Sequence, residues 1–257
     1  MSSVRFERAN GVGIITLERS EKLNAMTREM YDEISTCLRS IDEDDNIQVG
    51  IVTGAGGKAF SAGADLIGVH SSTGRAARHW SAWRPERFDS GLEVQKPLIA
   101  AVEGYCLAGG LELALFCDIR VAGVGSQFGT PEVRWNLLHG YGAQILPELI
   151  GTSNALYLLL TGSFIGVEDA YRMGLVQEVV PTGGAFGRAE KLAAQIAKNG
   201  PIAVRMTKEL VMRGRNLSLA DGLRLYRSFS DVIETSSDLE EGTRAFAERR
   251  DPNFTGT

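Results

Sequence analysis

The sequence predicts an α/β domain followed by an all-helical region. Two observations carry this. Up to Pro181, short Val- and Ile-rich runs alternate with patterns of helical period, which is the signature of strands and helices in one layered domain. Beyond Pro181 every apolar pattern has helical spacing. The chain of 257 residues is long enough for a sizeable core.

The elements follow in order. Residues 4–17 read as a hairpin: Val4 and Phe6 alternate with polar residues, Asn10-Gly11 supplies the turn, and Val12, Ile14 and Ile15 follow. Residues 27–42 read as a helix with Met30, Ile34, Leu38 and Ile41 on one face. Residues 47–53 form a buried strand, and a glycine-rich loop leads from it to FSAGADL at 60–66. Residues 97–104 make the next strand, Gly109–Phe116 a helix, and Ile119–Ala122 another strand. Within 168–180 a short helix stops at Gly174 and a strand runs from Leu175 to Val180. Helices are expected at 186–199, 201–213, 218–236 and 238–249. Pro201 suits a first helical turn, and Ser218 with Asp221 and Asp238 with Glu241 resemble capping pairs. The chain thus divides near residue 190, into a 1–190 core and a 191–257 helical region.

Composition narrows the function. Apolar residues are 44% and charged residues 23%, which excludes disorder on compositional grounds. A net charge of −5 argues against nucleic acid as a partner. The cysteines are Cys37, Cys106 and Cys117, and the last two sit in apolar runs that read as buried thiols in a reducing compartment. With only three histidines and no Cys-x-x-Cys, no metal-ligand spacing is present. Arg5, Glu7, Arg8 and Glu18 interrupt any signal-peptide core, and no run is long enough to span a membrane. The expectation is a cytoplasmic protein with no membrane partner.

Three segments carry chemistry. In GYCLAGGLELALFCD (104–118), Glu112 is the only charge between Glu103 and Asp118. A carboxylate in such apolar company resists ionisation and suits acid–base work. A helix-dipole-favoured glutamate of the first turn is the plainer reading. Gly109-Gly110 lets a ligand approach free N–H groups where the helix begins. Glu112 lies about one turn, ~5 Å, beyond Gly109. In FSAGADL, Gly63 frees the backbone in the same way, and Ala64-Asp65-Leu66 could open a helix. Two such N–H donors could form an oxyanion hole. In QFGTPEV (127–133), Glu132 follows a stiffening Pro131. It is either a surface glutamate or the second half of an acid–base pair. A rival motif, Gly54-Ala55-Gly56-Gly57-Lys58-Ala59, fits a dinucleotide fingerprint formally. It runs on to Gly63 and lacks the ribose-binding acid, since no Asp or Glu lies between Asp65 and Glu86.

FSAGADL, GYCLAGGLELALFCDIRVA and FGTPEV, in this order and spacing, resemble the crotonase family, also called the enoyl-CoA hydratase/isomerase family. EKLNAM (21–26), the stretch 161–176 and AFAERRDPNF (245–254) extend the resemblance over essentially the whole chain. It implies a crotonase-like spiral of ββα units with a C-terminal all-helical trimerisation region, in trimers or dimers of trimers. It implies an oxyanion hole from the N–H groups of Ala64 and Gly109. It implies Glu132 handling the α-carbon proton and Glu112 activating water, for addition to or loss from an acyl-CoA thioester, foremost a 2-enoyl-CoA. Lys22, Leu23, Ala25, Ala62, Asp65, Leu66, Leu107, Pro131 and Gly140 would line the substrate and CoA path, and coenzyme A would enter only as part of the substrate, with no other cofactor. A double-bond isomerase, a dehydratase of a carnitine-type thioester, a C–C bond-cleaving enzyme and a non-catalytic acyl-CoA binder remain open.

The chain departs from the family pattern after Glu132. Arg134-Trp135 and then His139-Gly140-Tyr141-Gly142-Ala143-Gln144 replace a small glycine-rich segment, with His139 where a proline often stands. His79, Trp80, Trp83, Arg84, Arg87 and Phe88 fall where the family covers the acyl end, and read equally as core.

Overall fold

A computed structural model describes residues 3–65 and 86–257. The first sheet has six strands in the order β1 (Val4–Ala9), β2 (Val12–Leu17), β3 (Val49–Gly54), β5 (Leu98–Val102), β7 (Ile119–Gly123) and β10 (Glu178–Val180). β1 and β2 pair antiparallel through the Asn10-Gly11 turn, and the remaining pairs are parallel. The central strands β3 and β5 are nearly continuous apolar runs, as suits strands covered on both faces. Val52, Leu98, Ala100 and Ala122 pack with Ile34, Leu38 and Ile41 of α1 (Arg28–Glu43). The opposite face, with Ile51, Ile99, Ala101 and Val121, packs against Ala185, Ala189 and Ala193. Those alanines, four residues apart, give α6 (Ala185–Ala197) a smooth side that lies close to the sheet. The expected division near residue 190 falls inside this sheet-covering helix.

A second sheet holds four three-residue strands in the order β4 (Ala59–Ser61), β6 (Tyr105–Leu107), β8 (Gln127–Gly129) and β9 (Phe164–Gly166). Strands β3, β5 and β7 each hand the chain to a short strand of this second sheet. After β6 comes α2 (Gly109–Phe116), and after β8 comes α3 (Gly140–Ile150). The result is a spiral of ββα units, as expected. The sequence pattern did not disclose the short strands, α3, or α4 (Thr152–Thr161). Three residues are too few to display alternation, and Pro147 interrupts the helical pattern of α3.

α5 (Val167–Met173) ends at Gly174, which has a φ of 87°. Beyond α6, α7 (Pro201–Gly214), α8 (Leu219–Glu234) and α9 (Ser237–Glu248) form the helical region. Ser218 caps α8 by accepting the Asp221 N–H, as expected. The expected Asp238–Glu241 cap is corrected. Ser236 caps α9 through the Leu239 N–H, while buried Asp238 turns to the C-terminal tail and accepts from the Thr255 and Gly256 N–H groups. Lys208 of α7 ties the region to the core, reaching Asp118 Oδ2 at 2.7 Å and the Lys96 carbonyl at 2.9 Å.

Cys106 and Cys117 are buried free thiols. Phe88 is fully buried and stacks on Tyr31 at 5.2 Å, with the Arg87 guanidinium over the other ring. The expectations for His79, Trp80, Trp83, Arg84, Leu66 and a helix opened by Ala64-Asp65-Leu66 lie outside the described residues. Among the described residues, no helix is long and apolar enough to cross a membrane, and no group of three metal-ligating side chains occurs.

Candidate active site

The site is built where the ends of the two sheets meet the first turn of α2. Ala108 precedes that helix with φ 52° and ψ −130°, a conformation that costs a non-glycine residue strain. Its N–H donates to the Gly129 carbonyl at 3.0 Å, which fixes the approach to the helix. Gly109, at the first helical position, therefore presents an N–H with no intrahelical partner.

The loop after β4 is pressed against this helix end. A Cβ on Gly63 would lie 2.5 Å from Ala108 Cβ and 3.0 Å from Gly109 N, and its φ is +95°. Both facts require glycine there. The neighbouring amides are committed. Ala62 N–H donates to the Leu23 carbonyl, Gly63 N–H to Ser61 Oγ and Asp65 N–H to the Met26 carbonyl. The exposed Ala64 is the residue of this run whose N–H has no partner among the described residues. The two amides singled out in the sequence thus belong to abutting backbone segments.

A second layer holds that loop. The buried Asn24 side chain accepts from Arg19 N–H and donates to the Ala55 and Ala59 carbonyls. Arg19 reaches the Ala25 carbonyl at 2.7 Å and Asp65 Oδ2 at 3.0 Å. This network brings Leu23, Ala25, Ala62 and Asp65 together, with Lys22 exposed beside them. Leu107 lies at the end of β6, its carbonyl 3.0 Å from where a Gly63 Cβ would stand. Sequence reasoning missed Arg19 and Asn24, whose roles depend on distant partners: the Asp65 carboxylate for Arg19, and the Ala55 and Ala59 carbonyls for Asn24.

The carboxylates converge from two elements. Glu112 lies on α2. Pro131 and Glu132 open a 3-10 helix, Pro131–Trp135, which the sequence read only as a loop. Both Glu side chains are 12% exposed. Glu112 Oε1 accepts the Tyr141 N–H at 3.0 Å, and Gly140 leaves it room, since a Cβ there would stand 4.0 Å away. Burial raises the Glu112 carboxyl above the ordinary glutamate range. Nearby His139 and the Tyr141 N–H oppose that rise, while Asp89 and Glu132 reinforce it. The phenol of Tyr31 is also buried, and its hydroxyl packs against the Cα of Gly109.

His139 stands between the two acids. Its ring is almost fully buried, with Nδ1 2.7 Å from Glu132 Oε1 and 3.9 Å from Glu112 Oε1. With Oε1 as the acceptor, whether Glu132 is ionised or holds its acid proton on Oε2, Nδ1 carries the imidazole proton and donates. Among the described residues, three buried side-chain polar atoms lack a hydrogen-bond partner: Thr130 Oγ1, Glu132 Oε2 and His139 Nε2. All three lie on one ten-residue stretch around the carboxylates. Each such atom costs about 1–3 kcal/mol if left unpaired, so their clustering marks a polar centre suited to a bound molecule.

Backbone donors beside paired carboxylates are suited to moving protons next to a polarised carbonyl. The model of the enoyl-CoA hydratase/isomerase family matches residues 7–257. The chain is 37% identical over 257 residues to the probable enoyl-CoA hydratase echA8 of Mycobacterium tuberculosis, covering 98% of both chains. It is 35% identical over 255 residues to the (E)-benzylidenesuccinyl-CoA hydratase of Thauera aromatica, covering 98% of this chain and 99% of that one. The solved structure of an enoyl-CoA hydratase from Bacillus anthracis superposes with a TM-score of 0.92, at 36% identity and with full coverage of both chains. The protein is an enzyme of the enoyl-CoA hydratase/isomerase family.

Proposed function

We propose that the protein is a hydro-lyase that interconverts a 2-enoyl-CoA and its 3-hydroxyacyl-CoA. The observation that carries this reading is the pairing of Glu112 and Glu132, both within 3.9 Å of a single ring nitrogen and both largely buried. Adding water across a double bond moves two protons, one off the water and one onto carbon. Isomerisation shuttles one proton and needs only one carboxylate.

In the hydration direction, the N–H groups of Ala64 and Gly109 hold the thioester oxygen. The Glu112 carboxylate takes a proton from water as the water oxygen bonds to C3. The π electrons of the C2–C3 bond move to the thioester, forming an enolate whose oxygen the two N–H groups stabilise. Glu132, which enters the cycle protonated, then delivers that proton to C2 and restores the carbonyl. Glu112 is left protonated and Glu132 ionised, and proton exchange with solvent after product release resets the pair. Burial raises the affinity of Glu112 for a proton, which makes it a stronger base than a solvent-exposed glutamate for the first step. Lys22, Leu23, Ala25, Ala62, Asp65 and Leu66 are proposed to line the CoA path, with Leu107, Pro131 and Gly140 around the acyl group.

The Thauera relative is named for a bulky aryl-substituted substrate, so the test uses a panel of straight, branched and aryl 2-enoyl-CoA and 3-hydroxyacyl-CoA esters with product identification. Formation of a 3-hydroxyacyl-CoA from one enoyl ester supports the reading. A shifted double bond without water uptake, or binding without turnover on every ester, refutes it.

We also propose a trimer or a dimer of trimers. Leu156, Tyr157 and Leu160 on α4, and Leu219, Leu223 and Tyr226 on α8, are large exposed apolar groups suited to burial between copies.

A further inference from the structure

We infer that His139 is a positioning residue for Glu132: it binds Oε1 and so leaves Oε2 as the oxygen that exchanges the α-carbon proton. The inference rests on the hydratase reading above.

Three observations carry it. First, the imidazole is directional. Nδ1 is 2.7 Å from Glu132 Oε1, while Nε2 is buried with no partner among the described residues. A side chain present only to fill space would not bury an unpaired nitrogen, because an apolar group packs there without that penalty. The ring accepts a lost hydrogen bond at Nε2 and gains one at Nδ1. Second, the ring is seated on backbone. A Cβ on Gly142 would be 2.0 Å from Nε2 and 2.1 Å from Cδ2, so the ring lies directly on the backbone of α3. Third, the Glu132 carboxylate is asymmetric. Oε1 has the His139 bond, and buried Oε2 has no partner among the described residues. A carboxyl held by one oxygen keeps its orientation and presents the other oxygen at a fixed place, which is what a proton transfer to carbon requires.

His139 is also 3.9 Å from Glu112 Oε1, too far for a hydrogen bond. The ring therefore discriminates between the acids. It orients Glu132 directly, and leaves Glu112 to the Tyr141 N–H.

Three variants test the assignment. Asn places an amide N–H near the position of Nδ1, so H139N keeps the bond. Gln extends its amide toward the position of Nε2, so H139Q loses it. The φ of residue 139, −86°, is within about 20° of the value proline fixes, so H139P removes the ring at a modest backbone cost that thermal melting reads. Steady-state kinetics on the best enoyl-CoA of the panel are read with binding of a non-hydratable saturated acyl-CoA and thermal melting. The expected result is a kcat loss of roughly 10- to 100-fold in H139Q and H139P, with KM and acyl-CoA binding little changed and with H139N close to wild type. Wild-type kcat in H139P overturns the inference alone, as does equal damage in H139N and H139Q. A wild-type protein that hydrates no ester of the panel overturns both this inference and the hydratase reading.

Discussion

His139 Nε2 occupies the space that a side chain on Gly142 would need: a Cβ there would approach to 2.0 Å. The φ of Gly142 is not among the left-handed glycine conformations of this chain, so contact with the imidazole, not backbone geometry, demands glycine at this position. On an exposed helix, Gly→Ala stabilises by about 1 kcal/mol. Here the methyl group displaces the ring.

G142A is therefore expected to lower kcat in proportion to the loss seen in H139P. The double variant H139P/G142A should be no worse than H139P alone, because the ring that clashes is gone. A double-mutant cycle on kcat measures this. Fully multiplicative losses would show that Gly142 acts through something other than His139.

Replacement of either acid by its amide should lower kcat by ~10²–10⁴ while saturated acyl-CoA binding persists. Glu112→Gln and Glu132→Gln together should cost little more than the worse single change, since each proton transfer is useless without the other. Normal turnover in Glu132→Gln would remove Glu132 from the mechanism.

Burial raises the Glu112 carboxyl, so the folded chain holds this proton more tightly than the unfolded chain does. Between the ordinary glutamate value and the raised one, the native state binds more protons, and stability falls as pH rises through that window. Urea unfolding of wild type and E112Q between about pH 4 and pH 7 should show this slope in the wild type and a flatter one in the variant. The acid limb of kcat should likewise lie above the ordinary glutamate range. Parallel stability profiles in the two proteins would contradict this account.

Deleting the residues beyond about 200 should dissolve the proposed trimer and expose the apolar surface that α7 covers. Light scattering on the truncated chain decides it, and a well-behaved trimer would refute a role for these helices in assembly.

Much of this was readable from the sequence, for physical reasons that differ by element. α2 was found to its exact ends, because an apolar run between two glycines and Cys117 leaves little choice. Glu112 stood out as a lone charge in that run. Gly63 and Gly109 announced close backbone approach. The 3-10 turn of Glu132 and the ring position of His139 were not readable. Seven residues separate the pair, and only the αL turn at Asn136 brings them back together. Arg19, Asn24 and Tyr31 were likewise hidden, because their partners are 31 or more residues away or are backbone atoms.

α2 is held at both ends. The Ala108 N–H anchors its start on Gly129, and the buried Arg120 guanidinium grips the Ala114 and Cys117 carbonyls near its finish, with a third bond to the Leu175 carbonyl. The helix that carries Gly109 and Glu112 is thus a fixed support for the chemistry proposed for them. Freedom lies on the opposite bank, where Trp135 is 68% exposed and Leu138 92% exposed in the segment that follows Glu132. Varying Trp135 and Leu138 while keeping the Asn136 turn that returns His139 to Glu132 should redraw which acyl groups are accepted and leave the chemistry untouched, whereas a library built on α2 would mostly return inactive proteins.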